Sequence, residues 1–366
     1  MDSALSKQLR VVAIGGGTGL STLLRGLKSY VAAPGAPNHI DRRARTQPVL
    51  PSLDSPSLDS PSLDSPCLDS HCLIRELSAV VTVTDDGGSS GRLREDLKIL
   101  PPGDIRNCMV ALSEDEHLLS KLFQYRFTQG DLDGHSFGNL FVAALSDITG
   151  DFAQAVQMSS QILAARGRIY PATNANATLV AEMDDGSFVH GETNITASKR
   201  SIVELTLDPP DVLPLPEILA AIAVADLITL GPGSLYTSII SNLLVRGIPE
   251  ALAHSGATRV YICNLMTQAN ESLGLSASQH IEKIFRHAGG RIFDCALINT
   301  APIRPGTLDR YAREGQLPIH PDLERVRALG VEPITGNFVH EGELLRHNYD
   351  EVAATVLQLA IKRRQH

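Results

Sequence analysis

At 366 residues, 43% of them hydrophobic, the chain is long enough for one large α/β domain or two smaller ones with an ample core. A formal net charge of −9 and a pI near 5.7 weigh against nonspecific nucleic-acid binding, although local basic pockets stay open. Five scattered cysteines without a C-x-x-C pair suit a reducing compartment, no run approaches the roughly 18 apolar residues of a membrane span, and MDSALSKQLR carries no apolar signal core, so a cytoplasmic protein is expected.

The first element is the strand, turn and helix of VVAIGGGTGLSTLLRGLK, Val11 to Lys28. Val11 to Ile14 is a short apolar run bounded by glycine, which predicts a buried parallel strand, and Leu20, Leu23, Leu24 and Leu27 recur at helical spacing. Between them Gly15, Gly16, Gly17 and Gly19 let the backbone approach an anion closely, and Thr18 or Ser21 is expected to cap the helix. The free N–H groups of that helix end predict a phosphate or pyrophosphate site. Leu20 stands where a dinucleotide fingerprint needs glycine, and no lysine follows in the Walker A position, so the nucleotide stays unnamed. A tight turn without a ligand has the same sequence pattern.

Residues 34–72 change character, and PSLDS PSLDS PSLDS PCLDS, Pro51 to Ser70, is a five-residue tandem repeat. Proline at that spacing excludes helix and ladder alike, so a disordered surface insertion is expected, with or without a partner.

Leu77 to Thr84 predicts a second buried strand, followed at once by DDGGSSGRLRED. Asp85 and Asp86 then stand at the carboxyl end of a strand, where open α/β sheets place their ligand crevice. Two adjacent carboxylates suit Mg²⁺ or ribose hydroxyls, and an Asx turn is the plainer reading of either alone. Ser89, Ser90, Arg92 and Arg94 offer donors for phosphate oxygens. In PPGDIRNCMVALS, Asp104 is expected to cap a helix whose first turn carries Arg106 and Asn107. A cation in that turn opposes the helix dipole unless it meets an anion.

Leu118 to Phe127 predicts an amphipathic helix, and GHSFGNLFVAAL repeats the arrangement of glycine before helix. There Ser136 or Asn139 can cap, and His135 projects from the turn as a structural or a substrate-facing group. Short alternating segments over residues 167–208, with a hairpin signal at Asp184 to Ser187, predict a small antiparallel β lobe. Ile218, Ile222 and Val224 then fit a helix and Asp226 to Leu230 a strand. Gly231, Gly233, Ser234 and Thr237 precede an apolar helix from Ile239 to Leu244, a second anion-binding helix end. Asn264, Thr267, Gln268 and Glu271 follow the strand Arg259 to Cys263; Asp294 to Ile298 is a further strand, and a last helix begins near Asp350 with Arg346 and His347 just before it. Polar clusters thus follow at least four strands at one end of a single domain, residues 9–366, which suits a nucleoside diphosphate linked to a second group. No nucleophile or base dyad is evident, and catalysis rests on Asp85 and Asp86 as the only candidates.

Six segments, GGGTGLSTLLRGLK, TVTDDGGSSGRLR, PPGDIRNCMVALS, GHSFGNL, LGPGSLYTSI and CNLMTQANES, occur in this order. Together they resemble the YvcK/gluconeogenesis factor branch of the CofD-like family, over most of Val11 to Asn299 and again at LLRHN near the end. The resemblance implies a Rossmann-like, mostly parallel sheet with helices on both faces. It implies a cytoplasmic protein that binds UDP-sugars, UDP-N-acetylglucosamine in particular, and supports cell shape and wall synthesis on gluconeogenic carbon, with morphogenesis proteins as partners. Related CofD enzymes move 2-phospholactate from a guanosine diphosphate conjugate to a deazaflavin with Mg²⁺, which is the alternative. Carried over by motif, Gly16, Gly17, Thr18, Gly19, Gly231, Gly233 and Ser234 would hold phosphates. Asp85 and Asp86 would face the metal or acceptor, and Arg346 the far end of the ligand. Leu275 stands where relatives in the branch carry tyrosine, which removes a stacking ring and a hydroxyl. A homo-oligomer is left open.

Overall fold

The computed structural model describes residues 8–32, 73–114, 118–198, 200–268 and 271–364. The repeat segment expected to be a disordered insertion, residues 34–72, lies outside the described residues. In chain order the strands are β1 (Leu9–Gly15), β2 (Ile74–Val81), β3 (Arg168–Pro171), β4 (Thr178–Met183), β5 (Phe188–His190), β6 (Ile202–Asp208), β7 (Leu227–Leu230), β8 (Thr258–Ile262), β9 (Cys295–Asn299), β10 (Glu332–Gly336), β11 (Val339–Glu341) and β12 (Leu345–His347). Seven of them form one parallel sheet in the order β10-β9-β8-β7-β1-β2-β3.

The apolar runs read as strands are buried on both faces, and their side chains divide with the strand period of two. Val12 and Ile14 of β1, with Val80, Ile228 and Tyr261, enter the core on one face. Val11 and Ala13, with Ala79, Val81, Val260 and Ile262, enter the core on the other. The second face is covered by the helices Gly17–Lys28, Gly103–Leu112 and Tyr349–Arg364 through Leu20, Leu24, Ile105, Met109, Val352 and Val356. The first is covered by the helices Pro216–Val224, Ile248–His254 and Ala277–Ala288 and by the antiparallel lobe β5-β4-β6. The expected Rossmann-like architecture is thus the one observed. Among the described residues no helix is long and apolar enough to cross a membrane.

Strand order decides where a ligand can sit. From β1 the sheet runs to β2 and β3 on one side and to β7 through β10 on the other, and the helical segments that follow β1 and β7 pack on opposite faces, which leaves a crevice above the carboxyl ends of these two strands.

Three local expectations change. Arg168–Pro171, read as part of the antiparallel lobe, pairs in parallel with Ser78 to Val81 and forms the edge of the main sheet, so the lobe begins at Thr178. Alternation reports which side of a strand is wet, not which strand lies beside it. The helix expected to reach Phe127 ends at Gln124, because Arg126 bridges to Ser136 as extended chain. The helix expected from Ile239 starts as a wide π-helical turn at Leu235–Ile240 and tightens at Ser241–Leu243.

Candidate functional site

The crevice is built from two glycine turns that touch. After β1 the chain turns at Gly16 and enters a helix at Gly17, whose φ of +60° is the left-handed region glycine adopts without strain. After β7 it turns through Gly231, Pro232 and Gly233. A Cβ on Gly19 would meet Pro232 O, with Pro232 C at 2.7 Å and Gly233 Cα at 3.0 Å. Only a glycine lets the two turns approach this closely. Asn242 Nδ2 donates to Gly15 O at 3.1 Å and fixes the second turn against the end of β1.

The first helix is capped across the fold. Neither Thr18 nor Ser21 caps it: the Ser21 and Thr22 hydroxyls donate backward to Thr18 O at 3.1 and 2.6 Å. The Gly17 amide instead donates to Asp104 Oδ2 at 2.6 Å. Asp104 therefore does not cap its own helix, where Pro102 holds that position. A glycine at the cap has no side chain to offer, and a carboxylate from another segment supplies the acceptor.

The crevice encloses about 420 Å³ and has two chemically different ends. On the β2 side stand Asp85, Asp104 and Glu192. Burial, then the charge of Asp85, pushes the Asp104 carboxyl up to about 6, against the Gly17 amide and Arg106, which lower it. Burial, followed by Asp85 and Asp104, raises Glu192 to about 9, so this carboxyl is protonated at neutral pH. On the β8–β10 side stand Asn264, Gln268, Tyr311, Arg346 and His347. Gln268 Nε2 donates to Ser234 Oγ at 2.8 Å, while its buried Oε1 has no partner among the described residues. A buried acceptor left open in a crevice calls for a donor from a ligand. His347 Nε2 donates to Cys263 O at 3.1 Å, and burial lowers its pKa to about 4, so the ring there is neutral.

Of the residues singled out in the sequence, Gly16, Gly17, Thr18, Gly19, Asp85, Asp104, Gly233, Ser234, Asn264, Gln268, Arg346 and His347 line this crevice. The others do not. Gly231 lies behind it, donating its amide to Ile14 O at 2.8 Å. Asp86 turns to the lobe and accepts from the Thr193 amide at 2.8 Å and its hydroxyl at 2.6 Å, which takes it away from a metal at the crevice. Ser90 Oγ accepts from the Gly103 amide at 3.2 Å, and Arg94 donates to Ala177 O at 2.6 Å. Arg92 donates to Asp133 O at 2.7 Å. Ser89 meets His135 Nδ1 at 3.1 Å and Asn139 Nδ2 at 3.2 Å, and Arg106 donates to Ser136 Oγ and Asn107 Oδ1, both at 2.7 Å. Thr267 pairs with Leu317 through its amide at 2.7 Å and its hydroxyl at 3.0 Å. Ser89, Ser90, Arg106 and Asn139 stitch helices 88–97, 103–112 and 137–149 together, so polarity after a strand reports packing as well as binding. Leu275 lines a separate recess with Tyr236 and Glu271 rather than the crevice.

Glu192, Tyr311 and Gln316 also line the crevice and carry no signal in the sequence. Glu192 opens a six-residue helix of the lobe, and only the docking of that lobe aims it at Asp85.

Comparison with known proteins shows the family and the fold. The family model described as 2-phospho-L-lactate transferase CofD matches residues 11–339. The chain is 44% identical over 354 residues to the gluconeogenesis factor of Halalkalibacterium halodurans, covering 96% of this chain and 97% of the relative. It is 41% identical over 357 residues to the gluconeogenesis factor of Bacillus subtilis, covering 97% and 99%. A crystal structure of a UPF0052 family member from Bacillus halodurans superposes with a TM-score of 0.83 at 43% identity, over 96% of this chain and 99% of that one.

Proposed function

The chain belongs to the CofD family, in which it is of the gluconeogenesis factor kind, and on that premise we propose that it binds a nucleotide-sugar as a cytoplasmic regulatory protein. UDP-N-acetylglucosamine is the ligand expected, and support of cell morphogenesis and wall synthesis on gluconeogenic carbon is the role. The observation that carries the reading is the contact of Gly19 with Pro232 and Gly233. It brings the first-turn amides at Thr18 and Gly19 beside the turn that carries Ser234, so two adjacent phosphates would meet backbone donors from both turns and the positive end of one helix dipole, the Gly233 amide being held by Asn264 Oδ1.

The rest of the crevice suits the groups that flank a diphosphate. Asn264 Nδ2, the open Gln268 Oε1 and Arg346 offer donors, an acceptor and a cation on one side. Asp85, Asp104 and the protonated Glu192 offer acceptors and a donor for hydroxyls on the other. Among the described residues no three His, Cys, Asp or Glu side chains gather as a metal site. Mg²⁺ commonly takes one or two carboxylates with phosphate oxygens and water, so Asp85 and Asp104 fit it when a diphosphate is present. It would supply charge neutralisation between those carboxylates and the phosphates.

Calorimetry of the full chain against UDP-N-acetylglucosamine tests the reading. Binding of one equivalent supports it, and no heat with no thermal shift at millimolar ligand removes it. The family match is compatible with a second reading, transfer of a 2-phospholactate-type group from a nucleoside diphosphate carrier to a deazaflavin-like acceptor. Phosphoryl-type transfer depends on positioning and charge, so that reading predicts Mg²⁺-dependent turnover which Asp85→Asn abolishes. Unchanged turnover in that variant counts against it.

A further inference from the structure

Beside the polar crevice lies a second cavity of about 290 Å³ at the carboxyl ends of β8 and β9. Its walls are apolar: Leu265 and Ile319 on one side, Ile298, Pro302, Ile303 and Leu308 around the rest. Asn264 and Leu265 line both cavities, so the two adjoin. Asn264 also ties the junction to the second glycine turn, accepting from the Gly233 amide at 3.4 Å through Oδ1. That leaves Asn264 Nδ2 without a partner among the described residues, at the point where the crevice becomes the slot. Asn299, on the slot wall, spends both ends of its amide on Ala301 O at 2.9 Å and the Phe338 amide at 3.0 Å. The slot therefore presents mostly carbon surface with a polar rim toward the phosphate turns.

Resting on the nucleotide-sugar reading, we infer that this slot takes the nucleobase, so the ligand runs in one direction: base against Leu265 and Ile319, diphosphate at the glycine turns, sugar toward Asp85 and Glu192. A planar heteroaromatic ring is the part of such a ligand that gains from a mostly apolar lining. It is also the part least suited to the opposite end, where three carboxyl groups stand together and hydroxyls find acceptors. The crevice and the slot each lie within or near the roughly 300–1,000 Å³ usual for small-ligand sites, so neither alone has to hold the whole molecule.

The chain contains no tryptophan, so Ile303→Trp places a single fluorophore on the partly exposed rim of the slot and narrows it. The full chain and this variant are titrated with UDP and, as a probe without a base, inorganic pyrophosphate. Expected is about a tenfold or greater loss of UDP affinity with pyrophosphate affinity unchanged, and an emission change with UDP but not with pyrophosphate. Ile303→Ala, which folds without added bulk, should weaken UDP about threefold and leave pyrophosphate unaffected. Unchanged UDP affinity in both variants, with silent tryptophan emission, overturns the base assignment while leaving nucleotide-sugar binding intact. A wild-type chain that binds pyrophosphate but neither UDP nor UDP-N-acetylglucosamine overturns both.

Discussion

Asp104 Oδ2 accepts the Gly17 amide proton at 2.6 Å, across 87 residues of chain, and so places a carboxylate where a phosphate oxygen would otherwise sit. A diphosphate arriving at that turn meets this negative charge and raises the proton affinity of Asp104 beyond the value of about 6 that burial and Asp85 already impose. In magnesium-free buffer, binding is then expected to take up a proton and to tighten as pH falls from about 8 toward 6. Calorimetry in buffers of different ionisation heat checks this. A pH-independent affinity and no proton uptake would remove the idea, and Asp104→Asn should flatten the profile.

Glu192 makes a stability prediction of definite sign. Its folded-state pKa, about 9, lies above its ordinary value of 4.5 because burial and then Asp85 and Asp104 disfavour the charge. The protonated form is the one the fold prefers, so this group costs nothing below its unfolded pKa and costs progressively more as pH rises toward the folded one. Glu192→Gln is expected to stabilise the protein by about 1–3 kcal/mol near pH 8 and to change little near pH 4. Thermal denaturation at the two pH values reads the difference; a variant less stable at pH 8 contradicts the assignment.

Gly19 is required by space. The Cβ of Gly19→Ala would press on Pro232, with its carbonyl carbon at 2.7 Å, and force the two turns apart. A loss of about 1–3 kcal/mol of stability and of nucleotide-sugar binding is expected. Gly290→Ala, where an added Cβ meets nothing within 4 Å, should leave both unchanged. If the two substitutions behave alike, close approach of the turns is not what the glycine serves.

Arg346 lines the crevice from β12, is exposed, and forms no ion pair among the described residues. Its charge is therefore available to a ligand and is not holding the fold. Arg346→Ala is expected to weaken nucleotide-sugar binding about tenfold and reduce its salt dependence, with the melting temperature unchanged. Unaltered affinity at low salt would place the ligand elsewhere.

The sequence by itself determined the parts whose physics is local. Val11 to Ile14 and Asp226 to Leu230 read as buried strands, and the glycines that follow them as turns that admit close approach, so the sheet and both glycine turns at its carboxyl end were legible. Six ordered motifs placed the chain in its family before any coordinates. Tertiary structure alone decided which polar groups reach the crevice, because hydrogen bonding in a buried polar cluster is satisfied by whichever partner packing brings near. Asp85 points in and Asp86 turns to Thr193, though they are adjacent and chemically identical. Arg106, His135 and Asn139 are held among their own helices, and Glu192 arrives from a lobe that nothing in its local sequence aims at the site. Spacing along the chain specifies backbone shape, whereas the direction of a polar side chain depends on contacts between segments far apart in number.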